Sequence, residues 1–362
     1  METEKKEVQE KIITQNNNKT SEEEFSNIIK LIAPGTNLRT AIDGALKSQR
    51  GALIVVENEQ VIPMIDGGFR INTRFTPQKL IELTKMDGAI ILSRDTKKIN
   101  YANVLLTPES KINSAETGTR HKAAERTAKQ AGTLVIAISE RKHEIILFYK
   151  NKKYPVTNTA DLLRKANEHL QFLEKQRELF DNYIEKLNFL ELRNYPSLNQ
   201  AIQIIQRGYL IQKITNELKK YITELGKEGT ILKVRLKELI KDVEEETDLV
   251  VKDYTQFNLK RSKTLIEDLQ YDEILDGGHI LEILGHDKAS PQPITIKGWR
   301  ILSKTPIHES EIALLVNEAN SLGKALNSNL SFYSQIFGYE KAQLIKEEIG
   351  KIKLNNFNAQ IS

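Results

Sequence analysis

The order of apolar and polar positions divides the chain into an alternating part and a helical part. Ile28, Ile29, Leu31 and Ile32 begin an apolar pattern that Pro34-Gly35 breaks. Leu38, Ile42, Ala45 and Leu46 then recur at helical spacing, and Gly51 ends that helix. Ala52 to Val56 is an unbroken apolar run of strand length, and Val61 to Ile65 reads as a second strand. Pro63 would confine that strand to an edge or a bulge, since it cannot donate to a ladder. Leu80, Leu83 and Met86 share one face of a short helix. Strand signals return at 89–93, 101–106, 133–138 and 144–149, with a polar loop over 107–116. The helix after that loop carries Ala124, Ala128 and Ala131, small enough for close packing. Strands interleaved with helices predict one α/β domain around a central mixed sheet.

After Tyr154-Pro155 the texture changes. From Asp161 to Asp253 Gly and Pro are scarce, and Leu163, Ala166, Leu170, Leu173, Arg177, Phe180, Ile184 and Leu187 fall three and four apart. That stripe is heptad-like, and its interruption by Arg177 favours a bundle over an ideal two-stranded coil. Asn194-Tyr195-Pro196 breaks the first long helix, Ile202 to Leu225 forms a second ended by Gly226 and Gly229, and Ile231 to Tyr254 forms a third. Asp276-Gly277-Gly278 and Pro291-Gln292-Pro293 mark the next linker. The organisation expected is therefore a disordered tail over 1–22, an α/β domain with a central mixed sheet over 23–155, an all-α helical spine over 156–288 and a small helical domain over 289–362.

Composition narrows the chemistry. Of 362 residues, 39% are hydrophobic and 28% charged, the balance of a globular protein of several domains. A net charge of +4 does not by itself indicate nucleic acid. Cysteine is absent, which excludes a disulfide frame, a thiol nucleophile and a Cys zinc site. No apolar run approaches membrane-spanning length, and the first residues are polar and acidic rather than signal-like. These features lead us to expect a cytoplasmic protein with no membrane partner. Of the six histidines, five are scattered without metal-ligand spacing; His121 alone lies in a motif.

Candidate chemistry concentrates between Met86 and Arg126. Gly118 can adopt a conformation that other residues resist, and Thr117 or Thr119 can cap the helix that follows. Arg120, His121 and Lys122 then occupy the first helical turn, where cations oppose the dipole but an anion is welcome. Three such side chains together make sense beneath a polyphosphate. Asp87, a carboxylate before Gly88, can hold a divalent metal that bridges phosphate oxygens. Taken singly, an Asp-Gly pair is usually a turn and a basic helix start is usually a solvated face.

Together, Asp87-Gly88-Ala89 and Arg120-His121-Lys122 resemble the two motifs of the diadenylate cyclases. The third position of the second motif is Lys122 rather than Arg, and Ala123 stands where Thr is usual. Asp66-Gly67-Gly68-Phe69, Phe75-Thr76-Pro77-Gln78, Tyr101-Ala102-Asn103 and Ala137-Ile138-Ser139-Glu140-Arg141 extend the resemblance to the DNA-integrity scanning, or DisA-type, cyclases. The resemblance implies joining of two ATP molecules into cyclic di-AMP, with Mg²⁺ or Mn²⁺ on Asp87 and with Asp87, Arg120 and His121 catalytic. It implies an ATP site of Gly88, Ala89, Leu106, Thr119, Arg120, His121, Lys122, Ala123, Ser139 and Glu140. It further implies an octamer of facing pairs and a C-terminal domain of helix-hairpin-helix type that binds branched or damaged DNA. Gly298-Trp299-Arg300 resembles the start of that domain, with Trp299 more a core anchor than a base-stacking platform. A second hairpin at 336–342 retains Gly338 alone, leaving Lys304, Gly338 and Lys341 as DNA candidates. From Pro291 onward there are 8 Lys/Arg against 6 Asp/Glu, so any grip on DNA is expected to be weak. The alternative is a non-catalytic DNA-binding or nucleotide-sensing scaffold with a degenerate cyclase domain.

Overall fold

The computed structural model describes residues 23–287, 294–305 and 307–358. The expected tail over 1–22 and the Pro291-Gln292-Pro293 linker lie outside the described residues. The described residues form two compact units, one reaching to 166 together with 220–232, the other of 167–219 with those from 233.

The first unit is the α/β domain. Helix α1 covers 23–31. It is followed by α2 (Asn37–Lys47), β1 (Ala52–Val56), β2 (Ile65–Asp66), β3 (Phe69–Arg74), α3 (Pro77–Leu83), β4 (Ala89–Leu92), β5 (Lys98–Leu106), α4 (Thr119–Ala131), β6 (Leu134–Ser139), β7 (Glu144–Tyr149) and β8 (Lys152–Pro155). The strands form one sheet in the order β2-β5-β4-β1-β6-β7-β8, with β3 added on β5. Only β1 and β4 run parallel; their other partners run antiparallel, so the sheet is mixed as expected. Both faces of the sheet are covered, which explains the unbroken apolar runs. Ala52 and Ile54 face a cluster with Leu38, Ile42 and Leu80 of α2 and α3. Leu53 and Val55 face Ala124, Ala128 and Ala131 of α4.

Several expectations for this unit are corrected. Val61 to Ile65 is not a strand. Ile62–Met64 forms a 3₁₀ turn with Pro63 in its first positions, and only Ile65–Asp66 pairs with β5. Pro63 sets the turn because its ring fixes φ. Met86 lies beyond the end of α3 and is 41% exposed, not on a buried helical face. Strands β3 and β8 carry no apolar run to announce them; both alternate exposed and half-buried positions at the margins of the sheet.

The helical residues are α5 (Thr159–Leu192), α6 (Leu198–Leu225), α7 (Thr230–Leu239), α8 (Val243–Tyr254), α9 (Leu259–Glu267), α10 (Tyr271–Leu275), α11 (Gly277–Ile283), α12 (Trp299–Leu302), α13 (Glu309–Ala319), α14 (Leu322–Asn327), α15 (Leu330–Phe337) and α16 (Tyr339–Asn358). In the second unit one hydrophobic cluster runs from Phe180 and Leu187 through Val250, Ile301 and Leu315 to Ile345 and Ile349. The heptad-like stripe is buried at Leu170, Leu173, Phe180 and Leu187.

The single third helix expected over 231–254 is in fact two. Asp242 takes a left-handed conformation with φ 62° between α7 and α8. Arg177, the interruption in the stripe, meets that break. Its Nη1 donates to the carbonyls of Leu239 at 2.9 Å and Lys241 at 2.6 Å, which the end of α7 leaves without helical partners. Asp276-Gly277-Gly278 is likewise no linker. The Asp276 carboxylate accepts from the Gly278 N–H at 2.8 Å and caps α11.

Candidate functional site

Sheet register gathers the nucleotide candidates. Parallel β1 and β4 start at one edge, with Leu53 opposite Ala89. Antiparallel β6 ends there, with Ala52 opposite Ile138, so Ser139 closes β6 and Glu140 follows it at the edge where Gly51 precedes β1. Val104 of β5 pairs with Ala89, which brings Leu106 to the same end. Asp87 is exposed in the turn before β4, Ala89 is buried as its first residue, and Leu106 is buried. Gly88 has φ +85°, and a Cβ on it would lie 2.8–2.9 Å from backbone atoms of Asn103 and Val104. The neighbouring strand passes so close that only glycine fits.

Arg120 reaches the same edge. A Cβ on Gly51 would sit 2.0 Å from Arg120 Nη1 and 2.8 Å from its Cζ, so the guanidinium lies over the bare glycine. Gly51, read from sequence only as a helix stop, is a site residue that pattern alone could not reveal. Helix α4 begins at Thr119 with Gly118 as N-cap at φ +95°, and no side chain caps it. The expectation that Thr117 or Thr119 would cap is therefore corrected. The first-turn N–H groups are left for an external anion.

The loop that delivers Gly118 is fastened to α4 itself. Glu125 Oε2 accepts from Ser114 Oγ at 2.6 Å and from the Ala115 N–H at 3.0 Å. Lys129 Nζ donates to Glu125 Oε1 at 2.7 Å and to the Asn113 carbonyl at 2.9 Å, and Arg126 Nε donates to the Ile112 carbonyl at 2.9 Å. These fasteners were missed by sequence reading, although the i,i+4 pair Glu125–Lys129 is a legible signal. Glu116 pairs with Lys153 of β8.

The electrostatics suit an anion. Burial pushes the His121 imidazole below its ordinary value of 6.5, Arg120, Lys142 and Lys153 push it the same way, and Glu116 opposes. His121 is thus neutral at neutral pH, able to donate from one nitrogen and accept at the other. Among the described residues none forms an ion pair with Arg120, Lys122 or Asp87. Among the described residues there is also no group of three or more His, Cys, Asp or Glu placed to hold a metal. Asp87 is a lone exposed carboxylate and could supply only part of the oxygen ligands that a divalent cation takes.

The C-terminal candidates are engaged within the protein. The N–H groups of Gly298, Trp299 and Arg300 all donate to the Asp253 carboxylate, at 2.9, 2.9 and 3.0 Å. This first glycine turn, expected to resemble a phosphate-binding hairpin, is filled by a carboxylate of the chain. Lys304 Nζ lies 3.0 Å from Glu246 Oε1, and Lys341 pairs with Glu311. Gly338 separates α15 from α16 with φ +80°, and its N–H donates to the Ser334 carbonyl at 3.0 Å. Trp299 packs against the core cluster, with Lys252 Nζ 3.3 Å from its ring centroid. Arg300, read from sequence only as part of the Gly298-Trp299-Arg300 segment, is fully buried. It binds Glu191, Asn188 at 2.6 Å and Glu246 at 3.5 Å.

Fold and site define a nucleotide-binding α/β protein that continues into a helical region. Residues 39–153 match the family described as DisA bacterial checkpoint controller nucleotide-binding, and residues 156–292 match the DisA bacterial checkpoint controller linker region. The chain belongs to the DisA family. It is 37% identical over 342 residues to the DNA integrity scanning protein DisA of Acetivibrio thermocellus, covering 92% of this chain and 95% of that protein. It is 39% identical over 344 residues to the protein of the same name from Bacillus subtilis, again covering 92% and 95%. Among the described residues no helix is long and apolar enough to cross a membrane.

Proposed function

We propose that the chain is a diadenylate cyclase, condensing two ATP into cyclic di-AMP and two pyrophosphates. The observation that carries this reading is the Arg120 guanidinium over Gly51, without a carboxylate partner among the described residues, at the sheet edge where Asp87-Gly88-Ala89 begins β4. The 3′-hydroxyl of one ATP attacks the α-phosphorus of the other as pyrophosphate departs, and a second such step closes the ring. A domain holding one ATP cannot close it alone, so two copies face each other across a two-fold axis.

Arg120 binds phosphate bidentately and stabilises charge as the bond forms. The open N–H groups of α4 at Thr119, Arg120 and His121 hold further phosphate oxygens, with Lys122 adding a point charge and Ala123 lining the same turn. Neutral His121 orients an oxygen through its N–H. Asp87 would hold Mg²⁺ or Mn²⁺, which when bound lowers the charge barrier and favours ionisation of the attacking hydroxyl.

Incubation of the purified protein with ATP and Mn²⁺, read by chromatography for cyclic di-AMP, tests the proposal. The wild type should form product, and Asp87→Asn should lose roughly 10²-fold in rate with unchanged melting. A protein that binds ATP but yields no product would instead be a nucleotide-sensing scaffold.

We further propose that DNA modulates this activity, as family membership suggests. Lys304 and Lys341 would exchange Glu246 and Glu311 for backbone phosphate, which makes binding weak and salt-sensitive. Junction DNA should then alter the rate of product formation at low salt.

A further inference from the structure

The helical unit carries an open groove of about 630 Å³ that the nucleotide chemistry does not use. Its wall is apolar, from Leu259, Trp299, Ile307 and Ile312. Its rim is acidic, from Glu244, Glu245, Asp248 and Glu309. Two lysines answer part of that charge. Lys263 Nζ lies 2.7 Å from Asp248 Oδ2 and 3.4 Å from Glu244 Oε1, and Lys252 lies over the Trp299 ring. Glu245 and Glu309 are exposed and, among the described residues, have no ion-pair partner. Asp248 Oδ1 is inaccessible to solvent and has no hydrogen-bond partner.

We propose that this groove docks a basic, apolar peptide segment of a protein partner. An apolar side chain would lie against Trp299 and Ile307, and a Lys or Arg would meet Glu245 and Glu309. Charge complementarity selects this occupant. The rim has two more carboxylates than ammonium groups, and the Trp299 face already carries an ammonium, so the wall suits cationic chemistry. The same rim repels nucleic-acid phosphate. The competing reading is purely structural. Glu244 and Glu245 sit in the first turn of α8 and Glu309 in the first turn of α13, where carboxylates favour the helix dipole.

Trp299 is the sole tryptophan, so its emission reports from the groove wall. The full chain is titrated with a short amphipathic peptide of Lys and Leu, with its Glu and Leu counterpart, and with duplex DNA. The Lys–Leu peptide should shift the emission saturably, with affinity falling as salt rises. Glu245→Gln combined with Glu309→Gln should weaken that binding roughly tenfold. Ile307→Ala should weaken it while leaving the salt dependence in place. The proposal is overturned if the emission does not respond, if the acidic peptide produces the same saturable change, or if duplex DNA displaces the Lys–Leu peptide from the groove. It is equally overturned if the double variant binds like the wild type and only melts earlier, which would confine the carboxylates to the helix starts.

Discussion

Gly51 shows how much a missing side chain can decide. Its bare face is the space that the Arg120 guanidinium fills, and Gly51→Ala would place a Cβ 2.0 Å from Nη1. The obstructing group is the far end of a flexible side chain, so it can swing away. We expect melting to move little, by about 0.5 kcal/mol or less, while affinity for ATP phosphates falls roughly tenfold through loss of the bidentate contact. Calorimetry run beside ATP titration checks this; equal damage to both would assign the space to folding. His121 gives a second expectation at this scale. Burial and the nearby Arg120, Lys142 and Lys153 hold its folded midpoint below 6.5. The unfolded imidazole then takes up its proton first as pH falls. Its contribution to stability therefore declines from about pH 6.5 down through the folded midpoint. Bound ATP, which brings negative phosphate to the ring, should raise that midpoint. Imidazole NMR with and without ATP reads the shift, and an unmoved midpoint would place His121 away from the phosphates.

At the scale of elements, Arg177 links two features that looked separate. It interrupts the stripe of α5 and closes the open carbonyl end of α7. Arg177→Ala should cost about 1–3 kcal/mol, since charged hydrogen bonds to backbone are lost and the carbonyls are left open. Urea titration measures it; a loss below the error of the midpoint would mean water replaces the guanidinium freely. The sequence made the interruption visible but not its purpose, because capping joins residues far apart in the chain. The same divide runs through the rest of the molecule. Strands β1, β4, β6 and β7 were legible because burial on both faces leaves unbroken apolar runs. Strands β3 and β8 were not, because no apolar run marks these marginal strands, whose positions alternate between exposed and half-buried. In the site, Asp87, Gly88, Arg120 and His121 stood out as motifs. Gly51 and Arg126 act through tertiary placement that no local pattern encodes, and for Glu125 and Lys129 the i,i+4 spacing shows their pairing but not the loop they hold.

At the scale of the whole molecule, the proposed chemistry requires an even number of copies. Light scattering should give an even oligomer, and a monomer that still forms cyclic di-AMP would end the facing-pair mechanism. The helical unit also resists dissection. A chain stopped at residue 292 would lose Ile301, Leu315, Ile345 and Ile349 from a cluster they share with Phe180 and Val250. Such a chain should lose the cooperative melting of its helices, monitored by circular dichroism, while the α/β unit keeps its own transition; a fully cooperative helical transition would contradict the shared core. That core has a consequence for synthesis. The α/β unit has all of its segments once Leu232 has been translated. Phe180 and Leu187 must wait for partners as late as Ile349, and contacts so distant in sequence form slowly. On the ribosome the nucleotide-binding fold can therefore close while the long helices still expose apolar faces, and those nascent helices are the stretch for which chaperones would compete.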